Sequence, residues 1–332
     1  MKATMMTSTG GPDVLVPTLI SEPQIHHPQQ VKVRLHAAGV NPVDTKVRAR
    51  GLFYPDAIPA ILGCDGAGEV VAIGSEVERL AVGDAVWFCN GGLGGEPGNY
   101  AEYTLVDSRV ARHKPPNLSF AEAAAAPLVL ITAWGALFDR GHLQAGQEVL
   151  IHAGAGGVGH VAIQLAKQAG ARVFTTVSSE EKAAFVRSLG ADEVIRYDQQ
   201  DFVTEINRHT NGRGVDLVFD TVGADTFRQS IHATAHFGDL VTLLDPGSEV
   251  QWKEARNRNL RIGFELMLTP LLRDLPAARA HHGEILDHCA EQIAASRLRI
   301  HLNRTLPLEQ AGAAHRLIEQ GGMIGKLALT CG

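Results

Sequence analysis

The residues that best combine type and spacing for chemistry are Gly154, Ala155, Gly156, Gly157, Val158 and Gly159. They follow the apolar run Glu148-Val149-Leu150-Ile151 and lead into a small-residue stretch, residues 160–166, that reads as a helix. In the order strand, turn, helix, the pattern Gly154-x-Gly156-x-x-Gly159 is a dinucleotide-binding fingerprint. Gly154 allows a tight turn, Gly156 lets a pyrophosphate approach the backbone, and Gly159 lets the helix pack closely on the strand. The unpaired N–H groups of the first helical turn then face the phosphates. With 35 glycines in the chain, a purely structural turn satisfies the same pattern, so context has to decide. Residues 172–177, Arg172-Val173-Phe174-Thr175-Thr176-Val177, supply that context as a second strand that completes a βαβ unit.

Other residues with chemical potential are dispersed. Cys64, Cys89, Cys289 and Cys331 include no CxxC pair, which argues against a disulfide framework and a redox dithiol and for a reducing compartment. Among fifteen histidines, the adjacent pairs His26-His27 and His281-His282 point to different faces of a strand or helix and do not converge on one ion. A net charge of −6 and a pI near 6.2 leave no electrostatic footprint for nucleic acid, and no basic run suggests an anionic membrane surface. The first ten residues lack a secretory apolar region, and no apolar run approaches the roughly 18 residues that span a bilayer. The expectation is a cytoplasmic protein with no membrane partner.

At 332 residues the chain exceeds one typical domain of roughly 100–200 residues, and 45% hydrophobic content supports a large core. Residues 1 to about 120 carry short β-prone runs, including 31–35, 68–73, 83–88 and 100–105, punctuated by Gly and Pro. The loop Gly91-Gly92-Leu93-Gly94-Gly95 reads either as a mobile flap or as a solvent-exposed hairpin connection. From Ala121 the texture turns helical, and βα alternation follows, with strands near 148–153, 172–177, 193–195, 215–220, 239–244 and 260–266. The fold class is α/β: a β-rich domain plus a doubly wound parallel sheet. The tail, with β-prone residues 299–302, a helix near 308–319 and a strand at 326–329, is expected to return to the first domain. That gives a first domain of 1–122 with 299–332 and a nucleotide domain of 123–298.

Several segments together resemble the medium-chain dehydrogenase/reductase superfamily, in its zinc-independent quinone oxidoreductase branch. They are Ala38-Gly39-Val40-Asn41-Pro42-Val43-Asp44, Leu62-Gly63-Cys64-Asp65-Gly66-Ala67-Gly68-Glu69-Val70, Val82-Gly83-Asp84-Ala85-Val86 and residues 123–127. The glycine motif, Asp220-Thr221-Val222-Gly223 and Ile324-Gly325-Lys326 complete the set. The resemblance implies a GroES-like catalytic domain, a Rossmann domain and an active-site cleft between them. In zinc-dependent relatives, metal ligands stand at the positions matched here by Asn41 and Cys64. An Asn amide is a poor zinc ligand, and one Cys without two further nitrogen or sulfur partners cannot build an open catalytic site, so no metal is expected.

The resemblance also assigns cofactor roles. Ser178, Lys182 and Tyr197 match residues that hold the 2′-phosphate in NADPH-dependent relatives, and no Asp or Glu ends the second strand at Val177-Ser178-Ser179. NADPH is the expected cofactor. Ser178 with Glu181 also forms a capping-box pattern, and Lys182 also fits a solvated helix face. Near the nicotinamide the resemblance places Asn41, Asp44 and Thr132, the turn at Val222 and Gly223, and the strand end at Leu243 and Leu244. Gly325 and Lys326 match a C-terminal cofactor contact, although Lys326 equally suits a surface strand. Lys46 stands where many quinone oxidoreductases have a Tyr lining the acceptor site.

The chemistry expected without a metal is hydride transfer to a quinone or an α,β-unsaturated carbonyl, since conjugation spreads the incoming charge. The alternatives are a zinc-free alcohol dehydrogenase-like enzyme and a non-enzymatic NADPH-binding sensor or structural protein. The apolar last strand, residues 260–268, suggests a homodimer paired through a sheet edge.

Overall fold

The structure is a computed structural model that describes residues 1–54 and 57–331. The chain divides into two compact units, Met1–Leu128 with Leu268–Gly332, and Val129–Met267.

The first unit is built on a seven-stranded sheet. Its order is Leu302–Pro307, Lys326–Thr330, Gln30–Val40, Asp65–Ile73, Ala85–Cys89 and Arg112–His113, with Tyr103–Asp107 also pairing with Gln30–Val40. Along Gln30–Val40, Val31, Val33 and Leu35 are buried while Lys32 and Arg34 reach solvent, the period of two expected when one face meets the core. From Ala37 to Val40 every residue is buried, and the helix Pro42–Arg50 begins directly beyond. Pro42 suits its first position, and Asn41 N–H donates to Asp44 Oδ2 at 2.8 Å, half of a capping box.

Chain segments after residue 267 belong to this unit, whereas the sequence reading drew the boundary at 298. The helix Pro276–Ala294 explains the difference. Its Asp287 accepts from Arg112 Nε at 2.9 Å, its Ile293 carbonyl accepts from Asn117 Nδ2 at 2.8 Å, and the next strand, Leu302–Pro307, joins the first unit's seven-stranded sheet instead of extending the parallel one. The Gly91–Gly95 loop is neither of the forms expected. Gly91, Gly92 and Leu93 are buried, the Leu93 carbonyl accepts from Phe53 N, and Glu96 ties the loop to Asn90 Nδ2 at 2.6 Å.

The second unit is a six-stranded parallel sheet in the order Glu193–Arg196, Arg172–Val177, Glu148–Ile151, Val215–Asp220, Thr234–Thr242 and Arg261–Phe264. The first strand in sequence lies in the middle, so the chain winds outward in both directions and the order reverses beside Glu148–Ile151. The apolar residues of the two central strands are buried, with Val149, Leu150, Ile151, Leu217, Val218 and Phe219 fully enclosed, as parallel sheets covered on both faces require. A cluster including Phe174, Ile195, Ile206, Phe227, Ile231 and Leu240 forms the core beneath. These elements place the glycine turn, the second-strand end and the turns after the fourth and fifth strands at the carboxyl ends of the sheet.

Candidate functional site

The glycine turn works differently in detail from the sequence reading. The positive φ of the turn falls on Ala153, at 51°, and not on Gly154. Gly154 is required by packing, because a Cβ there would lie 2.0 Å from Thr175 Oγ1 on the second strand. Gly159 likewise has Ala153 O 2.4 Å from a would-be Cβ, which sets the close approach of helix and strand. At Gly156 a Cβ would meet nothing nearer than Ala153 O at 3.2 Å, so this backbone is open to a ligand. Gly156 is also the N-cap of the helix Gly157–Gln168 and no side chain caps it, which leaves the first-turn N–H groups for an anion.

At the end of the second strand, Lys182 Nζ donates to Ser178 Oγ at 3.0 Å. The helix Glu180–Ser188 is capped by Ser179, whose hydroxyl accepts from Lys182 N. The capping-box alternative for Ser178 is therefore overturned: the helix starts one residue later, and the Ser178 hydroxyl is directed to the Lys182 ammonium. Glu180 is drawn to Arg187 at 3.0 Å and Arg196 at 3.4 Å, and Glu181 is exposed. Tyr197 is 56% exposed, and its N–H donates to Val177 O, which fixes its backbone beside the second-strand end.

The turns after the fourth and fifth strands are held by one side chain. Asp220, fully buried, accepts at Oδ1 from Val222 N and Gly223 N, each at 2.9 Å, and at Oδ2 from Thr242 Oγ1, also at 2.9 Å. Leu243 N donates to the Asp220 carbonyl, and Leu244 N to Thr242 Oγ1. Gly223, with φ of 79°, packs its Cα side against Leu244. Beside them, buried His152 bridges Thr176 Oγ1 at 3.1 Å and Ser230 Oγ at 3.0 Å, and burial pushes its imidazole down to about 4. Thr132 is buried in the helix Pro127–Trp134 of this same unit.

In the first unit, Asn41 and Asp44 enter a buried polar cluster that the sequence reading saw only in part. Asn41 Nδ2 donates to Asp65 Oδ2 at 2.9 Å, while its Oδ1 accepts from Lys326 Nζ. Lys326 Nζ also donates to Val40 O at 3.0 Å, so Lys326 is an interior residue and not part of a surface strand face. Asp65 Oδ1 accepts from Leu128 N at 2.9 Å. Tyr100 O–H donates to Asp44 Oδ2 at 3.2 Å and lies 3.1 Å from His315 Nε2. Among the described residues, Asp44 Oδ1 and His315 Nδ1 are buried without a hydrogen-bond partner. Desolvation raises Asp44 to about 7 and Asp65 to about 6, and it lowers the Lys326 ammonium against the pull of both carboxylates. Gly325 precedes the cluster with φ of 72°, its Cα against the His301 carbonyl. Lys46 lies on the exposed side of the helix, where partial burial and then Arg50 lower its ammonium.

The structure thus brings together Asn41, Asp44 and Lys326; Ser178 and Lys182; and Val222, Gly223, Leu243 and Leu244. Sequence reasoning missed Asp65, Tyr100 and His315 in the first group and the brace made by Asp220 and Thr242 in the last. Asp65 and Asp220 both stood inside quoted motifs, so an acid embedded in an apolar, glycine-rich run was the available signal. The donor set does not fit a catalytic metal. Both ends of the Asn41 amide are in use, and burial followed by Asp44 and Asp65 pushes the Cys64 thiol well up, away from the thiolate a metal needs. Among the described residues no three His, Cys, Asp or Glu side chains are grouped to hold a metal ion. A nicotinamide dinucleotide, by contrast, fits the open Gly156 backbone and the Ser178 and Lys182 pair.

A β-rich unit with a buried polar cluster and a parallel-sheet unit with a glycine turn define a two-unit dinucleotide-binding oxidoreductase. Residues 27–116 match the alcohol dehydrogenase GroES-like domain, and residues 189–329 match the zinc-binding dehydrogenase family. A quinone oxidoreductase of Pseudomonas aeruginosa is 34% identical over 318 residues, covering 95% of this chain and 94% of the relative. A 2-haloacrylate reductase of a Burkholderia species is 32% identical, covering 98% of both. The structure of Escherichia coli quinone oxidoreductase complexed with NADPH superimposes with a TM-score of 0.88 at 27% identity, covering 99% of this chain and 100% of that one. The chain belongs to the quinone oxidoreductase branch of the medium-chain dehydrogenase/reductase superfamily. Among the described residues no helix is long and apolar enough to cross a membrane.

Proposed function

We propose that this protein reduces a quinone or an α,β-unsaturated carbonyl with NADPH and without a catalytic metal. The observation that carries the metal-free reading is the Asn41 amide, fixed at one end by Lys326 and at the other by Asp65, where zinc-dependent relatives place a ligand. This holds although one matching family is described as zinc-binding. When bound, the reduced cofactor supplies a hydride. The open backbone at Gly156 and the first helical turn that it caps receive its pyrophosphate, and Ser178 with Lys182 receives the 2′-phosphate, with Tyr197 beside the same strand end. Val222, Gly223, Leu243 and Leu244 orient the nicotinamide end. Asp44, raised to about 7, holds a proton near neutrality, and reduction of a conjugated acceptor consumes one proton for each hydride.

NADPH is favoured over NADH because Lys182 and Ser178 face one another while Glu180 is committed to Arg187 and Arg196. Conjugated acceptors are favoured because charge delocalisation replaces the Lewis acid, and relatives named for quinones and for 2-haloacrylate act on such compounds. We further propose a homodimer through the sheet edge Arg261–Phe264, where Phe264 and the following Leu266 are exposed. Sedimentation velocity across a concentration series should show a dimer, and a concentration-independent monomer would refute it.

The test of the reaction is steady-state NADPH oxidation with a panel of quinones and enones, with and without chelator, alongside NADP-dependent oxidation of simple alcohols. The expected result is chelator-insensitive turnover of the conjugated acceptors and negligible alcohol oxidation. Near-stoichiometric zinc required for activity would overturn the reading. Tight NADPH binding without turnover across the panel would replace it with a sensing role.

A further inference from the structure

At the carboxyl end of the parallel sheet, side chains join the turns that follow the strands. Asp220 has no exposed surface, yet both its carboxylate oxygens are occupied. Val222 N and Gly223 N reach Oδ1 at 2.9 Å, and Thr242 Oγ1 and Gly223 N reach Oδ2 at 2.9 and 3.2 Å. Charge-assisted bonds of this kind, made where water is excluded, are the strong ones. They tie the turn after Val215–Asp220 to the turn after Thr234–Thr242, since the same Thr242 hydroxyl accepts from Leu244 N at 3.2 Å. A second tie reaches the first strand, where Thr221 Oγ1 donates to the His152 carbonyl at 2.8 Å. Val222, 45% exposed, is thereby presented at the carboxyl end of the sheet on a backbone that cannot shift without stripping donors from a buried acid.

We propose that Asp220 and Thr242 are a positioning pair that holds the Val222–Gly223 and Leu243–Leu244 turns in the shape that receives the nicotinamide half of the cofactor, with no part in holding the adenosine half. The pair acts through the two turns and touches no ligand itself. The inference rests on the cofactor reading above. Its physical content is a division of labour. The adenosine half has its own anchors at Gly156, Ser178 and Lys182, none of which is bonded to Asp220 or Thr242.

The substitution Asp220→Asn puts an NH2 group where N–H and O–H donors converge, and Thr242→Val keeps the shape but removes the donor to Asp220 and the acceptor for Leu244. Leaving buried donors unpaired should raise the dissociation constant of intact NADPH by about ten- to a hundred-fold in each variant. Adenosine 2′,5′-bisphosphate, which carries only the adenosine half, should bind each variant within about two-fold of wild type, the shift expected when none of its own contacts is lost. Thr242→Ser, which keeps the hydroxyl, should restore the binding of intact NADPH. Independently of any ligand, amide exchange should speed up at Val222, Gly223 and Leu244 in Asp220→Asn and Thr242→Val, while the helix Gly157–Gln168 keeps its wild-type protection. Should Asp220→Asn fail to fold, the Thr242 variants carry the same comparison. Equal losses for NADPH and the adenosine fragment, or no loss for either, overturn this inference alone. A wild-type protein that binds neither NADPH nor NADH overturns the cofactor reading and the inference together.

Discussion

Asp44 in the first unit and Asp220 in the second are both acids without solvent exposure, Asp44 in the first turn of the helix Pro42–Arg50 and Asp220 at the strand end before the helix Ala224–Ala233. They differ in what surrounds them. Asp220 meets donors on both oxygens, two of them backbone N–H groups that cannot rotate away. Asp44 receives Asn41 N and Tyr100 O–H on Oδ2, and its Oδ1 receives nothing. A buried anion is tolerable only when donors replace water. Desolvation therefore dominates at Asp44; the Asp65 charge adds to it, and the bond from Asn41, the Lys326 charge and the bond from Tyr100 recover part, leaving the group at about 7. The same side chain is thus raised toward neutrality by burial in one unit and ties two turns together in the other.

The sharpest way to break the first unit's side of this comparison is to remove its cation. Lys326→Met deletes the donor to Asn41 Oδ1 and Val40 O and leaves Asp44 and Asp65 with no positive charge in the cluster. Leaving two buried acids without the cation whose charge favours their ionised forms should cost about 3–5 kcal/mol, the scale for removing one side of a buried pair. Urea unfolding should show that loss, and Asp65→Asn added to Lys326→Met should recover part of it. An additive double variant would show that the two groups are not coupled.

A smaller effect sets buried acids against buried histidines by pH, with both kinds present in each unit. Asp44 and Asp65 are raised to about 7 and about 6 above a reference of 3.8, so their contribution is complete below about pH 4 and is lost as pH rises through 6 and 7. Glu265 of the second unit, raised to about 7 mainly by burial, has the same sign. His152 and His315 are lowered to about 4 and about 3 from 6.5, so their contribution is present above 6.5 and is lost as pH falls through those values. Between pH 4 and 6.5 the acids and the histidines oppose each other. Asp44→Asn keeps the shape of the protonated acid and removes its titration. The decline in stability between pH 4 and pH 8 should therefore shrink by up to about 4 kcal/mol. Unfolding measured at five pH values across that range decides it, and an unchanged slope would show that Asp44 does not titrate with folding.

The architecture was legible in the sequence because hydrophobic period and glycine spacing are local signals. The six parallel strands formed where the βα alternation put them, and the motif Gly154-x-Gly156-x-x-Gly159 sits at the middle strand. What stayed hidden depends on distance along the chain. Tyr100 meets His315 across 215 positions, and Thr242 meets Asp220 across 22, so no local pattern announces either contact. Lys326 was misjudged as a possible surface residue because a lysine at a strand start normally snorkels outward. Here its strand is paired on both sides, with Leu302–Pro307 and Gln30–Val40, and the ammonium turns inward to Asn41. Gly154 is read from the sequence as the residue that allows the tight turn, yet Ala153 carries the positive φ and Gly154 is needed for its missing Cβ.

Lys182 and Lys326 extend the comparison to cations. Both were expected to contact the cofactor, but Lys326 is enclosed with carboxylates while Lys182 is half-buried and bonded through its ammonium to a single hydroxyl, that of Ser178. Removing Lys182 strips no buried anion of its partner, so Lys182→Ala should leave unfolding stability within about 0.5 kcal/mol of wild type, the usual range for surface changes. Its loss should appear in binding instead. If the ammonium makes a charge-assisted bond to the 2′-phosphate, NADPH affinity falls by about 1.5–3 kcal/mol while NADH, which lacks that phosphate, is nearly unaffected. Fluorescence titration of both cofactors against wild type and variant measures this directly. Equal weakening of the two would make Lys182 a general electrostatic contributor and move phosphate selection to another cation at the same strand ends, where Arg196 is already engaged by Asp198 at 2.7 Å and Glu180 at 3.4 Å.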